Sequence, residues 1–264
     1  MADARWAALF MRARIPIWPC CVTSSRWLSH SPVRCRRNSQ EPTMPTGEFT
    51  GFPRETLDFL EQLKANNDRE WFSGHKNAYA SAVKKPATAL AEIVAGELER
   101  LTGQPHRPKL FRINRDLRFS KDKTPYHTHI HISWLPVEEG DGFPVWMFGL
   151  SPEYCTVGCG VFEFPRNVLD IYRKKIAAEL GDDLGRMLDR LRHDGFRIGE
   201  PALKRVPAGF PDDHPYVELA LHKGIVAWRD LEGPEAATQP DLVSRCVTEF
   251  AKLVPLWRFL RELR

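Results

Sequence analysis

Two periods alternate along this chain. Behind Pro53, a residue suited to the first position of a helix, Leu57, Leu60 and Leu63 recur at helical spacing, and the Asn66-Asn67-Asp68 triplet both stops that helix and caps the next. A second helical region carries Trp71, Phe72 and Tyr79, meets Pro86, where a kink or split is expected, and resumes through Leu90, Ile93, Val94, Leu98 and Leu101 to a closing Gly103. From Lys109 the period drops to two. Phe111, Ile113, Leu117 and Phe119 share one face of an expected strand, while Arg112, Asn114, Asp116 and Arg118 share the other. The next strand repeats the alternation, with Tyr126, Ile130, Ile132 and Trp134 on one side and His127, His129, His131 and Ser133 opposite. A loop at 120–125 joins the two.

Further strands are expected near Val145–Leu150 and Thr156–Phe164 around a Ser-Pro-Glu turn. Helices follow from Pro165 and over Asp182–His193, the latter closed by Gly195. After them come an extended piece at Phe196–Arg205, a loop at Pro207–Pro215, a short helix to His222, a strand at Ile225–Arg229 and a long helix from Asp241 to Leu263. Strands grouped mid-chain between helices imply an α+β domain with a largely antiparallel sheet flanked by helices, a single domain over residues 44–264.

The first 43 residues break this order. They hold seven arginines against Asp3 and Glu41 and show neither period. Two accounts fit: a start assigned too far upstream, with Met44 as initiator, or a mitochondrial transit peptide. Either way 1–43 reads as a disordered leader outside the fold, and the location is cytoplasmic under the first account and mitochondrial under the second.

Composition narrows the class. With 42% hydrophobic and 27% charged residues the chain reads as globular, and its longest uncharged run is too short to span a bilayer, so no membrane partner is expected. The formal net charge of +4 comes from the leader; residues 44–264 sum to about neutral, so no chain-wide basic bias towards nucleic acid exists. Cys155, Cys159 and Cys246 remain after the leader, an odd number in a chain too large to need disulfides, and read as small buried hydrophobes.

The charge is instead local. Between Arg107 and Lys123 stand Arg107, Lys109, Arg112, Arg115, Arg118, Lys121 and Lys123 against only Asp116 and Asp122. Positive charge concentrated in an otherwise acidic domain is the pattern of an anion site. If the two strands pair, Arg112 and Arg118 neighbour His127, His129 and His131, setting forked donors beside titratable imidazoles. The expected ligand-binding set is Arg112, Arg115, Arg118, Ser120, Lys121, Lys123, Tyr126 and His127, joined by Lys204 and His214 from the 204–215 loop folding over the site. His129 and Asp116 are the candidates for acid/base work. Arg115, lying among apolar positions, needs a carboxylate or carbonyl partner, with Glu70 or Glu218 as acids within the fold.

Other chemistries find less support. Three imidazoles two apart can share a metal, yet the surrounding Arg and Lys would repel a cation, so no metal site is assigned. Ser120 lacks a nucleophile elbow. Phosphate loops and dinucleotide fingerprints are missing, and no cofactor is expected.

Four strings carry a resemblance: Phe49-Thr50-Gly51-Phe52-Pro53, the run 66–72 (NNDREWF), Arg112–Tyr126 read as R-x-x-R-D-x-R-F-S-K-D-K-T-P-Y, and Leu203–His214. Over 49–263 the chain resembles the domain of unknown function 2461, a family of conserved hypothetical proteins of bacteria and fungi. The resemblance implies no activity, cofactor or partner. It does mark Arg112, Arg115, Asp116, Arg118, Ser120, Asp122, Lys123, Tyr126 and His129 as matching the family hallmark, and it departs from it at His127, where a Lys is expected. Three readings stay open: an enzyme or binder for a phosphorylated or carboxylated small molecule, a nucleic-acid or protein-binding module, and a scaffold held by an internal ion-pair network.

Overall fold

In the computed structural model, residues 49–118, 120–137, 144–178, 180–207, 210 and 215–263 are described, and the expected leader lies outside them. Pro53 caps α1 (Arg54–Ala65), whose Leu57, Leu60 and Leu63 are buried as their spacing predicts. The side chain of Asp68 accepts the Trp71 amide N–H and opens α2 (Arg69–Gly74). A single turn at Lys76–Ala78 and a π-helical segment at Tyr79–Lys84 then lead into α3 (Lys85–Thr102), which Gly103 closes at φ 74°.

Pro86 does not split this helix. Without an N–H it leaves the Ala82 carbonyl four residues back without its helical donor, and the local π-helix widens the turn around the ring. The buried hydroxyl of Thr56 in α1 donates to that carbonyl at 2.5 Å, so a partner from another helix replaces the missing bond.

Six antiparallel strands form one sheet in the order β1-β2-β3-β4-β6-β5: β1 (His106–Leu110), β2 (Ile130–Pro136), β3 (Val145–Ser151), β4 (Tyr154–Val161), β5 (Arg197–Ile198) and β6 (Ile225–Leu231). α4 (Arg166–Ile176) and α5 (Leu180–His193) connect β4 to β5, and α6 (Leu242–Arg261) ends the fold. The described residues thus form a single α+β domain. Among the described residues no helix is long and apolar enough to cross a membrane.

Register puts Trp134 opposite Trp146, and Trp146 opposite Cys159, in one row across the sheet. The Trp134 indole N–H donates to the Ala91 carbonyl in α3, and Trp146 packs on Phe250 and Trp257 of α6. Both tryptophans are fully buried, which removes them as stacking platforms for nucleotides. Cys155, Cys159 and Cys246 are free and buried in this layer. At the start of the domain, the Phe52 N–H donates to the Ala237 carbonyl, and Gly51, at φ 96°, sits where a Cβ would lie 2.6 Å from the Gln239 carbonyl oxygen.

Three expected boundaries move. The expected strand from Lys109 to Phe119 is instead His106–Leu110; Phe119 lies outside the described residues, and its neighbours leave the regular ladder. The extended piece at Phe196–Arg205 shrinks to the two residues of β5, and β2 begins at Ile130 instead of Tyr126. The cause of the first and last shifts lies in the pairing around the charged segment.

Candidate functional site

Beyond β1 the two arms stay antiparallel but change register. The Phe111 N–H donates to the His131 carbonyl, continuing the ladder, whereas the next bridge joins Asn114 to Tyr126, flanked by Arg115 N–H to Pro125 C=O and His127 N–H to Ile113 C=O. Two residues on the arginine side, 112 and 113, therefore lie opposite four on the histidine side, 127–130. The excess falls at 127–130, the ladder is interrupted there, and the segment 112–125 closes as an irregular loop outside the sheet.

Two sets of contacts, from α2 and from Asn67 just before its cap, hold this loop. Asn67 makes a two-bond clamp on the backbone of one residue: its Nδ2 donates to the Tyr126 carbonyl at 2.9 Å, and its Oδ1 accepts the Tyr126 N–H at 3.0 Å. Phe72 stacks on the buried Tyr126 ring at 4.1 Å between centroids. An amide side chain thus does for Tyr126 what a neighbouring strand would do.

Between α2 and the loop opens a shallow cavity of about 370 Å³, lined by Arg69 of α2 and by Arg112, Asn114, Arg115, Asp116, Leu117 and Arg118. Its four guanidinium groups fall into two kinds. Arg115, half-buried, donates to the Asp122 carboxylate at 2.6 Å, to the Thr124 carbonyl at 2.9 Å and to the Thr124 hydroxyl, tying one side of the loop to the other. Arg118 forms a forked pair with Asp116, Nε to Oδ1 at 3.0 Å and Nη2 to Oδ2 at 2.7 Å. These bonds hold both carboxyls well below the ordinary carboxylate range, that of Asp122 down to about 2, with the Thr124 N–H its largest single cause. Arg69 and Arg112 are exposed and, among the described residues, have no hydrogen-bonded or ion-paired partner.

The family model described as conserved hypothetical protein DUF2461 matches residues 55–259, which is most of the chain and includes every residue of this cavity. The chain belongs to that family. Comparison with curated proteins finds no match.

The Arg115 partner differs from the sequence expectation. Neither Glu70 nor Glu218 neutralises it; Asp122, seven residues along, does, because the loop folds back on itself, and Glu218 instead faces Arg192 at 3.9 Å.

In this DUF2461 chain the histidines line up without converging. Ring centroids stand 4.8 Å apart for His127 and His129, which are tilted, and 3.9 Å apart for His129 and His131, which stack, so the three form a ladder leading into β2. Burial, with Arg115 and Arg112 adding to it, lowers the His127 pKa to about 4. Burial likewise depresses buried His131, whose Nε2 is 3.1 Å from the Tyr154 hydroxyl. His127 therefore stays neutral beside the loop cations at pH 7. His129, the acid/base candidate, is half-buried inside this ladder and is not a lining residue of the cavity, whereas Asp116 is.

The remaining expected residues scatter. Ser120 stands 3.4 Å from Arg115 Nη2, Lys123 donates to the Leu117 carbonyl at 3.1 Å, and Lys121 is exposed on the loop. Lys204 is exposed on the connection that leaves β5, at the opposite edge of the sheet from β1, and does not line the cavity. His214 lies outside the described residues. Sequence reasoning missed Arg69 and the role of Asn67, which it assigned to a helix stop. One signal was available: Asp68 alone suffices as the cap, leaving the Asn67 amide without a local task.

Proposed function

We propose that this DUF2461 protein binds an anionic small molecule through Arg69 and Arg112, with Arg115 and Arg118 as the fixed cationic walls of the site. One observation carries this reading: in one open cavity, two guanidinium groups are neutralised by Asp122 and Asp116 while two others are not. A scaffold built only for stability would pair them all, because juxtaposed like charges repel. Forked guanidinium donors suit phosphate or carboxylate oxygens.

Titration calorimetry with inorganic phosphate and citrate tests the reading, using the native protein, Arg112→Ala and Arg69→Ala. Binding is expected to weaken on going from 50 to 200 mM salt and to fall about 10- to 100-fold in each variant, the loss of one charge-assisted contact. Equal binding by the native chain and both variants would reject the site.

A further inference from the structure

The cavity is not uniformly cationic, and its composition constrains what sits in it. Asp116 is one-third exposed and lines the same hollow as Arg69 and Arg112. Arg118 donates to it through Nε, shared between Oδ1 at 3.0 Å and Oδ2 at 3.2 Å, through Nη2 and through the backbone N–H at 3.1 Å; these are three donor hydrogens against about four lone-pair directions of a carboxylate, so the exposed third of the group can accept a further donor. Asn114 lies exposed along the same wall; only its backbone is used, in the bridge to Tyr126. Leu117 adds an apolar patch. A carboxylate held ionised beside the two uncommitted cations repels a second anionic group and accepts a hydrogen bond from a neutral hydroxyl.

The charge count points the same way. Two uncommitted guanidinium groups balance about two negative charges, which is what a phosphate monoester carries at pH 7. A di- or triphosphate would bring charge that must sit against Asp116. At about 370 Å³ the hollow is of a size for a small molecule, with space left beyond one phosphoryl group.

From these groups we infer that the ligand is the phosphate monoester of a small hydroxylated molecule, its phosphoryl group on Arg69 and Arg112 and a hydroxyl donated to Asp116, which sets specificity. This rests on the anion-site reading above and adds the part of the ligand that carries no charge. Asp116 here is a recognition residue; no bond in the ligand is made or broken.

Competition binding separates the two levels. Glycerol 3-phosphate, glucose 6-phosphate and ribose 5-phosphate are compared with ethyl phosphate, which has the same charge and no hydroxyl, and with pyrophosphate. At least one hydroxylated ester should bind about tenfold more tightly than ethyl phosphate, and pyrophosphate should bind no better than ethyl phosphate. In Asp116→Asn that preference should disappear while pyrophosphate binding rises, because a negative charge is removed and Arg118 is released. Asn114→Ala provides a second variant that leaves every charge in place, and it should reduce the preference severalfold with the melting temperature unchanged. A preference that survives Asp116→Asn, or pyrophosphate binding as tightly as every hydroxylated ester, overturns the inference but leaves the anion site standing. Loss of all binding differences between native protein and Arg112→Ala overturns the site itself.

Discussion

The layer beneath the sheet and the cationic loop beside it are built on opposite terms. Trp134, Trp146, Phe250 and Trp257 form a fully buried aromatic layer between β2, β3 and helices α3 and α6, where non-directional apolar contact does the stabilising. The loop at 112–125 has little such contact. It is fixed by a handful of directional bonds: the Asn67 clamp, the Phe72–Tyr126 stack and the Arg115–Asp122–Thr124 ties. The difference teaches where stability resides and where the fold leaves charge unneutralised. A cavity with unneutralised charge can exist here because the aromatic layer, and not the loop, holds the fold.

Four measurements can break or sharpen that contrast. Trp146→Ala, which opens a hole among Trp134, Phe250 and Trp257, should lower unfolding stability by about 3–5 kcal/mol in urea titration. A loss under 1 kcal/mol would mean the aromatic layer is not the principal support. Asn67→Ala removes both bonds to the Tyr126 backbone and should cost about 1–2 kcal/mol. Its clearer sign is local: amide exchange at Tyr126 and His127 should quicken while that of β3 and β4 holds, and uniform quickening would show that the two regions are not separable.

The third measurement is acid titration. His127 and His131 are kept neutral by burial, so between pH 6.5 and about pH 4 the unfolded chain binds more protons than the folded one. Their contribution to stability is complete above pH 6.5 and is lost as pH falls through that window. His127→Gln should flatten the pH dependence of the melting temperature; an unchanged slope would place the effect elsewhere. Smallest of all is Arg112→Ala, expected to shift stability by less than about 0.5 kcal/mol because the side chain is exposed, while weakening anion binding strongly. A large loss of stability there would turn the cavity cations into structural elements.

Much of this fold is legible locally. Leu57, Leu60 and Leu63 mark the buried stripe of α1, the period-two run at 126–134 locates β2, the short runs at 145–150 and 225–229 locate β3 and β6, and Gly103 and Gly195 sit at φ 74° and 83° where helix ends require it. The candidate site is only half legible. Charge density singles out the loop, but spacing along a strand cannot tell which arginines find an acid, and a pattern of alternation cannot reveal that two extra residues interrupt the ladder at 127–130. Pro86 is a similar case, since whether a proline splits a helix depends on who satisfies the carbonyl behind it, here Thr56 from 26 residues away.

By itself, then, the sequence determined the helices, the strand alternation, the family membership and the existence of a cationic segment, because each depends on neighbours a few residues apart. Only the tertiary structure decided that Asp122 and Asp116 silence two arginines, that Arg69 joins Arg112 from a distant helix, and that Asn67 pins Tyr126 across 59 residues. The physical reason is that neutralisation and clamping are matters of a few ångströms in space, and folding brings within that range groups whose separation along the chain carries no trace of it.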